Sequence, residues 1–300
     1  MAENSMPRVL TVDDLKRLKW RSVGPAVMGG RVSDIAFAPG NSKTYFVGFA
    51  TGGLFRTKNN GTTFEPLFDF EENTCIGSVA VADLPAESAH WTDEEKKGKS
   101  KKELKEAGRG RVVWLGTGEG NGRNSSSWGN GVYRSLDGGK KWTHCGLEDS
   151  HDIPCLLVDP RDADTCWAAA LGHLWGANET RGVYKTTDGG QTWTPSLVID
   201  DEVGCCWLAM HPNEPDTVYA AMYERRRTAW SFRSGGTKGG LFKTTDGGAT
   251  WAKLGGLPKF AGRMCVDIYR KNPRIVYALV ESHEGGTNSI RDDRSKAGGL

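Results

Sequence analysis

No run of apolar residues in this 300-residue sequence approaches the roughly 18 that a membrane-crossing helix needs, so no helical span is expected. The first ten residues, Met1 to Leu10, lack the apolar stretch of a secretory signal peptide. Charge of one sign is missing too. The 39 basic residues face 37 acidic ones, which leaves no electrostatic footprint for nucleic acid. The seven cysteines include no Cys-x-x-Cys pair, so neither a metal nor a redox spacing is present, and no metal or other cofactor is expected. An odd count of cysteines without a leader favours free thiols in a reducing, cytoplasmic compartment.

Glycine and tryptophan, in contrast, are plentiful, at 40 and 11 residues. They recur in one pattern. Thr244-Thr245-Asp246-Gly247-Gly248-Ala249-Thr250-Trp251 repeats Thr186-Thr187-Asp188-Gly189-Gly190-Gln191-Thr192-Trp193. Ser135-Leu136-Asp137-Gly138-Gly139-Lys140-Lys141-Trp142 is an earlier copy, and Thr57-Lys58-Asn59-Asn60-Gly61-Thr62-Thr63-Phe64 a weaker one. The aspartates stand 51 and 58 residues apart, a period that marks a repeat architecture. Asp-Gly-Gly between two β-rich runs is a tight turn. Glycine takes positive φ without a clash, and the Asp or Asn side chain binds nearby backbone N–H groups. The aromatic residue five places later (Phe64, Trp142, Trp193, Trp251) opens the next strand and offers a large plate to bury. Asn59, Asp137, Asp188 and Asp246 are therefore read as structural.

The spacing predicts an all-β protein of four-stranded antiparallel units: about 30–68, 74–147, 151–199 and 204–256, with a partial fifth over 262–300. Residues 1–19 form an N-terminal extension, where Thr11 to Asp14 would cap a short helix. The stretch from Leu18 to Gly24 resembles a fourth strand without a preceding three. In a closed ring of blades such a strand completes the last blade and removes a free edge. The expected fold is a β-propeller over 20–300. The sequence stops where a third strand should begin, so the remaining blades are expected from further C-terminal chain. A charged insertion over 84–110, rich in Lys and Glu, interrupts the second unit and lacks an apolar stripe.

The repeats, with Asp159-Pro160 and His211-Pro212 closing first strands, resemble the Asp-box (BNR-type) β-propeller superfamily. That superfamily includes sialidases, xyloglucanase-type glycoside hydrolases, photosystem assembly propellers and sortilin-type receptors. The opening from Ser22-Val23-Gly24-Pro25 through Gly29-Gly30-Arg31-Val32 to Thr51-Gly52-Gly53-Leu54-Phe55 is similar to bacterial sortilin-like propellers, often labelled glycosyl hydrolases. Relatives of that kind are often exported. The sialidase Phe-Arg-Ile-Pro motif has only Pro273-Arg274-Ile275-Val276 as its counterpart. The resemblance to xyloglucanases places a catalytic Asp two residues before a Gly-Gly, where this chain has Ala50.

In a propeller the connections from second to third strands, with those entering each first strand, share one face, and the Asp-box turns lie on the other. The long connections carry the binding candidates: Asn121, Arg123 and Trp128; His173 and Trp175; Glu224, Arg225 and Trp230. Arg31 and Arg263 follow small-residue turns into first strands and point towards the axis. Aromatic plates beside polar groups suit a sugar ring or a protein hot spot, so a glycan or a protein is the expected partner. The expected function is non-catalytic binding on this face. The alternative is glycoside hydrolysis, which needs two carboxylates, for which Glu119 and Glu224 are candidates. Three consecutive arginines, 225–227, are expected to be partly solvated. His151, His173 and His283 fall in separate units, which argues against a metal. Cysteines near the starts of first strands are read as buried, inert thiols.

Overall fold

A computed structural model describes residues 30–83 and 111–282. The N-terminal helix, the orphan strand, the insertion over 84–110 and the loop beyond residue 282, with His283, lie outside the described residues. The rest is all-β. Blade one comprises β1 (Val32–Ala38), β2 (Asn41–Phe49), β3 (Gly53–Thr57) and β4 (Glu65–Pro66). Blade two comprises β5 (Ile76–Asp83), β6 (Arg111–Thr117), β7 (Val132–Ser135) and β8 (Thr143–His144). A short 3-10 turn, Glu148–Ser150, leads into blade three: β9 (Cys155–Asp159), β10 (Asp162–Ala170), β11 (Gly182–Thr186) and β12 (Thr194–Leu197). Blade four has β13 (Val203–Met210), β14 (Val218–Arg227), β16 (Gly240–Thr244) and β17 (Ala252–Lys253), with β15 (Phe232–Ser234) added to the far end of β14. Blade five contributes β18 (Ala261–Ile268) and β19 (Val276–Ser282).

Each four-stranded sheet pairs its strands antiparallel in chain order. The outermost strands are shorter than the sequence suggests, two to four residues each. First strands lie side by side, β1 against β5, β5 against β9, β9 against β13 and β13 against β18. Small side chains on these strands reach the next blade. Val79 N–H donates to Asp34 Oδ2 at 2.8 Å, Ser78 Oγ to Ile153 O at 2.8 Å, and Cys206 Sγ to Met264 O at 3.2 Å. All seven thiols are free, and six are buried. Burial pushes Cys155 up to about 12, as expected of inert thiols.

The core lies between blades. Trp114, Ile153, Leu156 and Cys166 pack blade two on blade three. Trp167, Val203, Leu208 and Met222 pack three on four, and Tyr219, Leu241, Met264 and Ile268 four on five.

The Asp-box corners fasten these layers. In blade three Thr186 Oγ1 donates to Asp188 Oδ1 at 2.8 Å, and Asp188 accepts Thr192 N–H at 3.0 Å. The second glycine, Gly190, sits at φ 88°. A Cβ there would lie 2.9 Å from Cys145 Cβ, so both backbone shape and space demand glycine. The box tryptophan then reaches back: Trp193 Nε1 donates to Cys145 O at 2.6 Å, and Trp142 Nε1 to Leu67 O at 2.9 Å.

A second fastener was not anticipated from the sequence. The residue before each box Ser or Thr is a cation lying over an aromatic ring of the second strand. Arg134 lies 4.9 Å from the Trp114 ring, Lys185 4.5 Å from Trp167 and Lys243 5.5 Å from Tyr219. Three of these cations donate to the first box glycine of the following blade: Arg56 to Gly138 O, Arg134 to Gly189 O at 3.2 Å and Lys185 to Gly247 O at 2.9 Å.

Candidate functional site

The chain direction separates two faces. Box turns and the hairpins joining first to second strands share one, and the connections at 118–131, 147–154, 171–181 and 228–239 share the other. On this second face a cleft of about 290 Å³ lies between the loops of blades two and three, lined by Ser126, Ser127, Trp128, His151, Asp152, His173, Leu174 and Trp175. Trp128 is 61% exposed and Trp175 48%, so neither ring folds down onto its own blade. Trp128 stacks on His151 at 5.6 Å between centroids, and His151 stacks on His173 at 3.5 Å.

Asp152 lies beneath the rings and is buried. Its Oδ2 is paired with Arg225 Nη2, while its Oδ1 has no hydrogen-bond partner. Burial outweighs the arginine and raises its carboxyl to about 6. Burial also lowers His151, and the neighbouring His173 adds to that.

Each predicted site residue has a definite place. Arg225 is 1% exposed, which withdraws it from the surface as a ligand-binding arginine, while Arg226 and Arg227 make the run partly solvated, as expected. The second strand of blade four runs on through Arg227. Arg225 thereby turns inward onto Asp152, and its Nη2 also donates to Gly172 O at 2.9 Å. Arg226 and Arg227 stay near the surface; Arg227 covers the Phe232 ring at 4.4 Å and donates to Asn124. Glu119 is 2% exposed and enclosed by Arg31 and Arg123, with Arg123 Nε at 3.0 Å and Nη2 at 3.1 Å. Glu224 is buried away from the cleft and accepts the N–H groups of Lys238, at 2.6 Å, and Gly239, at 3.3 Å, which anchors its own loop. Arg263 donates to Asn121. Trp230 stands 87% exposed at the tip of the β14–β15 hairpin.

Sequence reasoning treated the histidines as separate, and the structure corrects this. His151 ends the 3-10 turn before blade three at φ 56° and so faces the loop that carries His173. Asp149, His151 and His173 bring their ligand atoms within 4.8 Å of one another. His173 Nε2 lies 2.8 Å from Asp149 Oδ1. Asn178 holds both residues: its Oδ1 accepts His173 N–H at 2.9 Å, and its Nδ2 donates to Asp149 O at 2.7 Å. No spacing motif signals this cluster, because it depends on how two connections meet on the finished face.

Comparison with known proteins agrees with this architecture. The model of the BNR/Asp-box repeat matches residues 184–195. A xyloglucanase of Paenibacillus sp. is 23% identical over 286 residues, 85% of this chain and 24% of that protein. The oligoxyloglucan-reducing end-specific xyloglucanase of Emericella nidulans is 27% identical over 162 residues, 48% of this chain and 18% of its own. Among solved structures, an ancestral GH74 enzyme superposes with a TM-score of 0.54 at 19% identity, over 85% of this chain and 30% of that one. The protein is thus an all-β chain with propeller blades of the Asp-box kind, similar in fold to GH74 enzymes. It spans about a quarter or less of the length of the curated relatives it matches.

Proposed function

We propose that the protein acts on a polysaccharide, and that the blades described here supply the face on which the sugar chain lies. The observation that carries this reading is the cleft between Trp128 and Trp175, two exposed rings over a floor of Leu174, with Ser126, Ser127 and the two histidines as polar neighbours. Flat apolar plates interspersed with hydrogen-bonding groups suit the faces and edges of sugar rings. The similarity to xyloglucanases supports a β-linked glucan backbone as the substrate class. Hydrolysis then needs a proton donor and a second carboxylate. Asp152 lines the cleft and has one carboxyl oxygen without a partner, whereas Glu119 is held by two arginines and Glu224 serves its own loop.

Non-catalytic glycan binding is the second reading. It is favoured by Ala50 at the place where the resemblance expects an aspartate, and by Arg225 occupying the other oxygen of Asp152. Reducing-end release from xyloglucan by the intact protein separates the two. The hydrolytic reading predicts turnover that falls at least about a hundredfold in Asp152→Asn. Absence of turnover with saccharide binding retained supports pure binding, and absence of both refutes a polysaccharide role.

A further inference from the structure

Asp149, His151 and His173 form a group whose carboxylate lies outside the saccharide reading and whose two imidazoles that reading uses only as polar neighbours. We propose that these three side chains bind a divalent transition-metal ion of the zinc class at the mouth of the cleft. Two imidazoles and one carboxylate are a donor set suited to zinc and its neighbours, and ill suited to calcium or magnesium, which take oxygen ligands. The three ligand atoms lie within 4.8 Å, against a spacing of about 3.3 Å between ligands in a tetrahedral site. A turn of one side chain closes that difference. His173 is held by Asp149 and by Asn178 through its own backbone, whereas the His151 ring has no hydrogen bond among the described residues. The two rings lie nearly parallel, at 16°, so their nitrogen lone pairs lie in parallel planes. Shared ligation requires the His151 ring to leave its stacked position between Trp128 and His173 and to turn about its Cβ–Cγ bond towards the ion.

Two further observations point to a ligand here. Asn178 reaches both Asp149 and the His173 backbone, as an outer group that orients metal ligands does. Asp152, buried and with Oδ1 unpartnered, lines the same cleft. Three protein ligands leave a zinc-class ion an open position facing the cleft, where a water or a sugar hydroxyl would complete it.

Tag-free intact protein titrated with ZnCl2 by calorimetry, and with CoCl2 followed by visible absorption, tests this. One equivalent of Zn2+ is expected, with a Tm that rises on loading and returns with EDTA. Co2+ should give the intense bands of a four-coordinate site. His173→Ala and Asp149→Asn should abolish stoichiometric binding, and Asn178→Ala should weaken it about tenfold. His211→Gln, on the opposite face, should change nothing. Asp149 is exposed, so Asp149→Asn keeps the fold even where His173→Ala does not. Failure of the native protein to bind Zn2+, or binding that Asp149→Asn leaves intact, overturns the proposal. Neither result depends on saccharide binding or turnover.

Discussion

Asn59 and Asp188 occupy the same corner in different blades, and the comparison shows what the charge does. Asn59 Oδ1 accepts Thr63 N–H at 2.9 Å and its Nδ2 donates to Thr63 Oγ1 at 2.9 Å, so an amide closes the turn. At Asp188 and Asp246 the hydroxyl and N–H of the threonine four residues on, with the hydroxyl two residues before, hold the carboxyl well below its usual range. A group whose pKa is depressed by folding contributes stability that is complete above its unfolded value, near 3.8, and is lost as pH falls through the lower folded one. The double variant Asp188→Asn/Asp246→Asn should therefore lose less Tm than the native protein between about pH 5 and about pH 2. Equal acid sensitivity in the two would show that these carboxylates do not carry the effect. The corners were legible in the sequence because their chemistry is local, confined to eight consecutive residues. Arg225 was not. Its burial depends on Asp152, 73 residues away in another blade, and only the packing of blade four against blade three brings the two together.

At the scale of the strand and the blade, the third-strand cations tie blade to blade alongside the boxes. Lys185 contacts Trp167 in its own blade and the Gly247 carbonyl in the next, so it ties a ring stack to a turn. Lys185→Met keeps the aliphatic cover of Trp167 and deletes the charge and the donor. It should destabilise the protein by about 1–2 kcal/mol in urea unfolding, with Lys185→Arg retaining most of that. Unchanged stability in Lys185→Met would remove this contact from the account. The column Arg56, Arg134, Lys185, Lys243 was present in every copy of the repeat. At β14 the chain continues as a hairpin through three arginines because β15 offers Phe232, Arg233 and Ser234 as pairing partners. The Asp149–His151–His173 cluster had no signal in the sequence. It rests on a positive-φ His151 in a connection that no periodicity describes.

Across the whole molecule, the repeat assigns labour by face. Box tryptophans and third-strand cations join blades one to four, each to the next. The opposite loops also carry inter-blade pairs such as Arg225–Asp152 and Arg31–Glu119, and they expose Trp128, Trp175 and Trp230 and gather Asp152, His151 and His173 between blades two and three. The most direct test of this division is calorimetric titration of the intact protein with a xyloglucan oligosaccharide, comparing Trp128→Ala and Trp175→Ala with Trp193→Phe. The loop-face variants should keep their Tm and bind at least about tenfold more weakly, as loss of an aromatic hot spot implies. The box variant should lose stability and keep its affinity. Affinity that follows Trp193 and ignores Trp128 and Trp175 would contradict the account.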